Sequence, residues 1–392
     1  MQRHILFTIL SAIFIVFMGM GIIVPILPIY AAELGATGFA LGVIIAAFAL
    51  SGGILQPFVG NFSDRYGKKG FLIAGLFIFG ITGYTYTHAS SVTDLVLIRL
   101  FHGAGSAMII PMAMAYIGEL GGSKTGKHMG MLNIAIFAGI GGGPMLGGFF
   151  LDVWGQNSAF YAMATLSILS SALVLLVLPR QKTKTASEKK ESMRNVFRRM
   201  LRSRRVMGIL LSRMATMIIM VPTFAFLPLL MTQYMTASGT EIGMVIATRT
   251  LVNAVFQIPF GSLADRWNKN RLLFMGSIVI SIGMLAVPFA GSFISLLLLF
   301  ALIGLGEAVS WPALGALAAK EGTIYGQGSM MGVFNMAINA GLFIGAMGVG
   351  ALVDLMGIAW AFYIVALFLF ASAVASAFMI RPPKAGLETA GK

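Results

Sequence analysis

Five ionisable side chains stand inside long apolar runs of this sequence: Arg99, His102, Arg213, Arg249 and Glu307. A charge in such a run must pair with another, line a wet cavity or move a proton, because leaving it alone in hydrocarbon is costly. Glu307 is the only carboxylate well inside a run, and it is flanked by Gly304, Gly306 and Ser310-Trp311-Pro312, where the small residues could admit a solute. Desolvation favours the neutral form of a buried carboxyl, which suits a group that takes up and releases a proton each cycle. Glu307 is therefore expected to be a proton carrier or cation-binding acid; the alternative is a structural ion pair with Arg249 or Arg213. Arg99 keeps its charge and cannot relay a proton, but it can stabilise a deprotonated carboxylate. His102 lies three residues on, on the same helix face. Histidine titrates near neutral pH, so His102 is a second proton candidate, its ordinary role being that of a hydrogen-bonded packing residue. Gln56, Asn133, Gln257, Asn253, Asn335 and Asn339 find no partner in lipid. They are expected to face the interior with Arg213 and Arg249, lining a solute path or stapling helices.

Other chemistries are excluded by what is missing. There is no cysteine and there are four scattered histidines, so neither a thiolate nucleophile nor a metal cluster is readable. No nucleophile–base set assembles, hence no enzyme is expected, and no cofactor. The phosphate-cradling G-x-x-x-x-G-K-[ST] loop is absent, so ATP does not drive this chain by itself. The formal charge of +14 sits between apolar runs and not on an aromatic-interleaved surface, which argues against nucleic acid.

The elements that must position these residues follow from composition. Of 392 residues, 58% are hydrophobic and 10% charged, with mean hydropathy +0.91, values that belong to lipid. At roughly 20 residues per crossing, spans are expected near 5–30, 40–60, 70–88, 95–118, 129–151, 158–179, 206–232, 241–262, 272–290, 293–318, 329–351 and 358–380. The first run lacks an A-x-A-like cleavage site and reads as a permanent span. The fold class is thus an all-α membrane protein of twelve transmembrane helices. Of the 27 lysines and arginines, 24 fall at the termini and in the even-numbered connections, three inside spans, and none in the odd-numbered connections. The positive-inside rule then places both termini in the cytoplasm of a cell membrane. The expected division is a six-helix bundle over 1–179, a basic linker over 180–205 at the anionic inner leaflet, a second six-helix bundle over 206–381, and a tail over 382–392.

The halves repeat. Gln56, Gly60, Asp64-Arg65 and Lys68 meet Gln257, Gly261, Asp265-Arg266 and Lys269 at an offset of 201, as Gly103, Gly105 and Pro111 meet Gly304, Gly306 and Pro312. Asn133, Gly139, Asp152, Gly155 and Ala159-Phe160-Tyr161 meet Asn335, Gly341, Asp354, Gly357 and Ala361-Phe362-Tyr363 at 202. Six spans per half preserve orientation, so the bundles are expected to be related by a pseudo-two-fold along the membrane normal.

Four motifs carry a resemblance to the major facilitator superfamily, and within it to the twelve-span drug:proton antiporters. Gly60-Asn61-Phe62-Ser63-Asp64-Arg65-Tyr66-Gly67-Lys68-Lys69 resembles the loop between spans 2 and 3, with a degenerate copy at Gly261 to Asn270. Gly19-Met20-Gly21 through Pro25 and Pro28 is similar to the first-span motif. Arg99-Leu100-Phe101-His102-Gly103 resembles the span-4 motif, with His102 where the family usually has glutamine. Gly139, Gly143, Pro144, Gly147 and Gly148 match the span-5 antiporter pattern. The resemblance implies a monomeric carrier whose partners are protons, a small-molecule substrate and membrane lipids, with Arg99 tied to proton coupling. A carboxylate and several cations in so short a turn as that between spans 2 and 3 can themselves form a gate, in which Asp64 caps a neighbouring helix and Lys68 reaches an acid such as Glu119, Arg65, Lys69, Asp265 and Arg266 completing the charge set; the alternative is that these charges only anchor the turn in the headgroups. The glycines allow close helix approach, and Pro144 bends its helix. The implied function is proton-coupled export of amphipathic, drug-like molecules; a same-fold carrier of a physiological solute (a sugar or metabolite exporter, a symporter or a lipid flippase) is the alternative.

Overall fold

The computed structural model of the chain describes residues 2–121, 125–179 and 193–380. Hydrocarbon offers no partner to a backbone N–H or C=O, so an apolar segment that crosses it closes its own hydrogen bonds as a helix. Every expected span coincides with one helix: α1 (His4–Glu33), α2 (Gly38–Tyr66), α3 (Lys68–Tyr86), α4 (Val92–Gly121), α5 (Thr125–Trp154), α6 (Gln156–Val177), α7 (Arg204–Met235), α8 (Gly239–Arg266), α9 (Lys269–Ala286), α10 (Phe293–Tyr325), α11 (Gln327–Met356) and α12 (Ile358–Ile380). No strand occurs among the described residues. Several helices outrun their apolar stretch, as α10 does in reaching Tyr325, because a helix continues until a breaker stops it. Gly155 (φ 78°) and Gly357 (φ 89°), equivalent in the two repeats, are such stops; a left-handed φ costs glycine nothing.

Two spans are broken. α1 turns at Val24-Pro25 and resumes at Ile26. α7 passes through a π-turn at Pro222–Phe226, the kind of local irregularity that frees a backbone group and tends to sit at functional sites. The stretch expected as a linker holds a helix, Met193–Arg202, whose Met200 is fully buried and which packs on α7 and α11. Residues 180–192 and the tail lie outside the described residues. Ser203 caps α7 by accepting from Val206 N.

Helices α1–α6 and α7–α12 form two bundles with matching interiors. A Cβ at Gly103 would strike the carbonyl of Phe48, and one at Gly304 the carbonyl of Arg249; Gly75 meets Gly105 as Gly276 meets Gly306; Gly139 and Gly143 abut α1 as Gly341 and Gly345 abut α7. Small residues let the backbones approach to this distance, the general device of helix association in lipid.

The bundles meet along two symmetry-related helix pairs, α2 with α11 and α5 with α8. At one face each pair is pinned by a carboxylate. Asp152 at the end of α5 accepts from Gly239 N (2.7 Å) and Thr240 N (2.8 Å), the first amides of α8. Asp354 at the end of α11 accepts from Gly38 N (2.6 Å) and Phe39 N (2.8 Å), the first amides of α2. Each bundle therefore caps a helix of the other, where the helix dipole and four unsatisfied N–H groups favour an anion. Towards the opposite face, which carries the α2–α3 loop and its lysines, the contacts run out: around Gly60, Gly130 and Gly332 no atom comes within 4 Å of where a Cβ would stand. The bundles close at the Asp152/Asp354 face and part at the basic face.

A cap of this kind contributes about 1 kcal/mol. Asp152→Ala combined with Asp354→Ala should shift the closed–open equilibrium of that face by about thirtyfold. The chain contains no cysteine, so spin labels at Glu33→Cys and Leu355→Cys read this as a longer inter-label distance.

Candidate functional site in the membrane interior

Glu307 on α10, Arg249 and Asn253 on α8, and Thr223 and Met220 on α7 form one buried polar network. Glu307, Arg249 and Asn253 are 3%, 1% and 2% exposed, so little water reaches them. The guanidinium of Arg249 engages the carboxylate twice, Nε donating to Oε2 at 3.2 Å and Nη2 donating to Oε1. Asn253 Nδ2 donates to the same Oε2 at 3.3 Å, and Gln257 Nε2 donates to Asn253 Oδ1 at 3.3 Å. Nη1 of Arg249 donates to Thr223 Oγ1, and Nη2 lies 3.4 Å from Met220 Sδ. The sequence permits this because Gly304, one helical turn before Glu307, removes the side chain that would hold α8 away. The fork of arginine matches a carboxylate and leaves three N–H groups for other acceptors.

Of the two roles considered for Glu307, its position in an ion pair with Arg249 is thus the observed geometry, and a proton role has to be exercised from inside that pair. Gln257, one turn nearer the basic face, is half-buried, so the Asn253–Gln257 bond leads from the carboxylate to a less buried position on α8.

Arg99 lies in the other bundle and has no carboxylate partner among the described residues. It is 8% exposed; its Nε donates to Ile44 O at 3.4 Å and its guanidinium lies 4.6 Å from the ring centroid of Phe48. The repeat explains the difference. Phe48 is equivalent to Arg249 and Phe300 to Arg99, so cation and phenyl have exchanged helices between the halves, and Ser106 stands where the second half has Glu307. His102 is fully buried, 3.3 Å from the Tyr86 hydroxyl through Nδ1, with Phe79 and Phe48 edge-on to its ring at 4.2 and 5.1 Å; its Nε2 has no partner.

Arg213, the third arginine, behaves differently again. Its guanidinium lies 5.3 Å from the Trp311 ring and 4.9 Å from the Phe334 ring, and no described carboxylate pairs with it. Both Arg213 Nε and Trp311 Nε1 are buried donors without an acceptor. Phe137 of the first bundle packs on Trp311 at 5.9 Å between centroids, which places this cation beside the seam between bundles. Among the amides, Asn339 faces Gly53 across the seam and donates to Asn335 O at 3.5 Å; Asn133 is exposed and Gln56 half-buried.

In the gate motif, Gly67 takes φ 93° to join α2 to α3, Lys69 Nζ donates to Leu175 O at 2.8 Å, and Arg266 is exposed at the end of α8. The side chains of Asp64, Arg65, Glu119 and Asp265 lie outside the described residues. The span-5 glycines divide their work: Gly139, Gly143 and Gly147 receive α1, while Gly148 meets Gly239 and the carbonyl of Pro144 covers Gly243 of α8. Pro25 and Pro28 sit at the break in α1. Sequence reasoning missed Asp152, Asp354, Thr223 and Met220; the signal for the first two was their equivalence in the repeat, each three residues before a turn glycine.

Two repeat-related bundles, pinned at one face and parted at the other around charged groups in the membrane interior, define a multi-pass membrane transporter. The chain belongs to the Major Facilitator Superfamily, whose sequence pattern matches residues 9–235 and again 206–392. An uncharacterized MFS-type transporter of Methanocaldococcus jannaschii is 32% identical over 357 residues, covering 90% of this chain and 92% of the relative. The quinolone resistance protein NorA of Staphylococcus aureus is 27% identical over 360 residues, covering 89% and 90%. The fold is shared with a bacterial homolog of the human lysosomal transporter Spinster (TM-score 0.84, 13% identity, 97% of both chains). It is shared too with the nucleoside transporter NupG (TM-score 0.78, 15% identity, 96% of this chain and 100% of that one). Members of the family carry small molecules and are not enzymes.

Removing one member of a buried ion pair strands the other, at a cost of about 3–5 kcal/mol. Arg249→Met should lower the melting temperature of the purified protein sharply, and Arg249→Met with Glu307→Leu should recover most of the loss, because both charges then leave together. Thermal melts of the four species give the coupling directly.

Proposed function

We propose that this protein is a proton-coupled secondary active exporter of small amphipathic molecules, working as a monomer in the cell membrane with both termini in the cytoplasm. The carrying observation is the buried Glu307–Arg249 pair with its Asn253–Gln257 extension. A proton that reaches Glu307 neutralises it and weakens the twofold contact with Arg249, because a carboxylic acid is a poorer acceptor than a carboxylate. The guanidinium is then held by Thr223 and Met220, on either side of Pro222 where the π-turn of α7 begins. Weakening one bond set and keeping the other changes how α10 is tied to α7 and α8, which is the bistable element a carrier needs. With the basic face in the cytoplasm, the parted face opens inward, ready to collect a solute. The aromatic surfaces of Phe137 and Trp311 suit an amphipathic one, and the similarity to the quinolone resistance protein NorA supports the efflux branch.

A second reading rests on Arg213, whose guanidinium has aromatic rings but no carboxylate beside it. Such a pocket accepts an anion or the anionic end of a zwitterion. The sign of coupling then depends on the solute. Neutralising Glu307 makes the second bundle one charge more positive, so a proton and an anion help each other to bind, as in symport, whereas a proton and a cation oppose each other, as in exchange.

Vesicles containing the protein and a pH-sensitive dye, given a proton gradient, decide between them. A panel of lipophilic cations, zwitterions and anions is added to wild type and to Glu307→Gln. Discharge by cations or neutral amphipaths in wild type, abolished in the variant, is the expected result. Discharge by anions alone favours the second reading, and no response from wild type to any class overturns proton coupling. An equal response from Glu307→Gln moves the proton site elsewhere, His102 being next.

A further inference from the structure

The degenerate second copy of the charged loop, between α8 and α9, borders a cavity that the transport cycle leaves unused. It has a volume of about 710 Å³ and is walled by the loop itself, the start of α7, the basic-face end of α10 and the last turns of α12. Its polar side carries four cations, Arg205, Lys269, Arg271 and Lys320. One is neutralised: Arg205 Nε lies 3.0 Å from Glu321 Oε1. Lys269, Arg271 and Lys320 have no carboxylate partner among the described residues, and Lys269 and Arg271 stand in the first turn of α9, an 18-residue helix whose N-terminus adds its own positive field. The other side of the same cavity is apolar, with Phe274, Val374 and Phe378 on it and Phe378 exposed. Trp267, 58% exposed, stands at the rim, the position aromatic side chains take at a membrane–water boundary.

Three cations without a carboxylate partner among the described residues, sharing one cavity with apolar side chains at the end of a bundle, match one kind of molecule: a phosphate ester with acyl chains. A free anion would satisfy the cations and leave the apolar side chains bare, and a neutral lipid would do the reverse. We propose that this cavity is a binding site for an anionic phospholipid of the leaflet at the basic face, its phosphate held by Lys269, Arg271 and Lys320 and its chain lying against Phe274, Val374 and Phe378. Bound there, the lipid ties α7, α9, α10 and α12 together at the face where the two bundles part.

The test uses the full chain purified in a neutral detergent, with native mass spectrometry and melting temperature as readouts. Phosphatidylglycerol, phosphatidylcholine, glycerol 3-phosphate and inorganic phosphate are added separately. Phosphatidylglycerol should be retained and raise the melting temperature, the others not. Each lysine or arginine near such a headgroup contributes on the order of 1 kcal/mol, so Lys269→Gln/Arg271→Gln/Lys320→Gln should weaken retention about a hundredfold. Lys269→Arg/Lys320→Arg, which keeps both charges, should preserve it and controls for folding. Arg198→Gln/Arg199→Gln/Arg202→Gln, which removes as many charges from the neighbouring surface helix, should leave it unchanged. Equal stabilisation by inorganic phosphate and by phosphatidylglycerol would overturn the lipid assignment in favour of a soluble anion. Equal loss in the surface-helix variant would overturn the pocket, since the attraction would then be that of a basic face in general.

Discussion

A charge taken out of water must be neutralised where it lies, and this single constraint organises the interior of the protein. An arginine or carboxylate at mid-membrane costs about 3 kcal/mol on insertion scales, and the chain meets that cost in three ways. Arg249 spends its charge on Glu307, Arg99 rests on a carbonyl and the face of Phe48, and Arg213 sits between Trp311 and Phe334. Only the first arrangement contains a group that can change its charge. The two bundles therefore share a scaffold down to the carbonyls their glycines touch, and differ in the charged groups set into it. The exchange of Phe48 and Arg99 for Arg249 and Phe300, with Glu307 in place of Ser106, gives the second bundle its buried ion pair.

The seam between bundles obeys a different economy. It is made of glycine against backbone along α2/α11 and α5/α8, with Asp152 and Asp354 as its two strong polar ties. Backbone packing of this kind is specific in geometry and modest in energy. A carboxylate on a helix N-terminus is likewise worth about 1 kcal/mol, because the amides it leaves can turn to water at a membrane surface. Such an interface fixes one arrangement without a large energetic barrier in its polar ties. Inside each bundle the large apolar side chains interlock, and Ile9, Ile13, Phe160 and Phe300 are fully buried.

The twelve spans were legible because lipid admits one solution for an apolar segment, so hydropathy alone decides the element. The repeat was legible as well, and with it the equivalence of Phe48 and Arg249. What periodicity cannot give is the crossing geometry that chooses among partners: both Arg213 and Arg249 were open to Glu307, and the turn at Gly304, which brings α8 against α10, selects Arg249. His102 looked like a titratable cavity residue because sequence shows its own helix face; the cage of Tyr86, Phe79 and Phe48 comes from two other helices. Asp152 and Asp354 stood out in the sequence only as a repeat-related pair, since a cap on the opposite bundle joins residues 87 and 316 positions apart. The helix Met193–Arg202 was hidden by composition, its arginines outweighing the Val196, Met200 and Leu201 that recur at helical spacing.

The burial of Glu307 bears on how a proton and a solute can communicate without meeting. At 3% exposure the carboxylate is closed off from a solute in this conformation, so the proposed coupling does not rest here on direct competition for one seat. What remains is the field and the packing. Losing the negative charge leaves Arg249 and Arg213 as two cations in one bundle, and their mutual repulsion in a low-dielectric interior is felt over the whole seam. That favours whichever arrangement of the bundles admits water or an anion to them. Under the proposed coupling, a shared field would make the charge of the solute decide the sign of exchange.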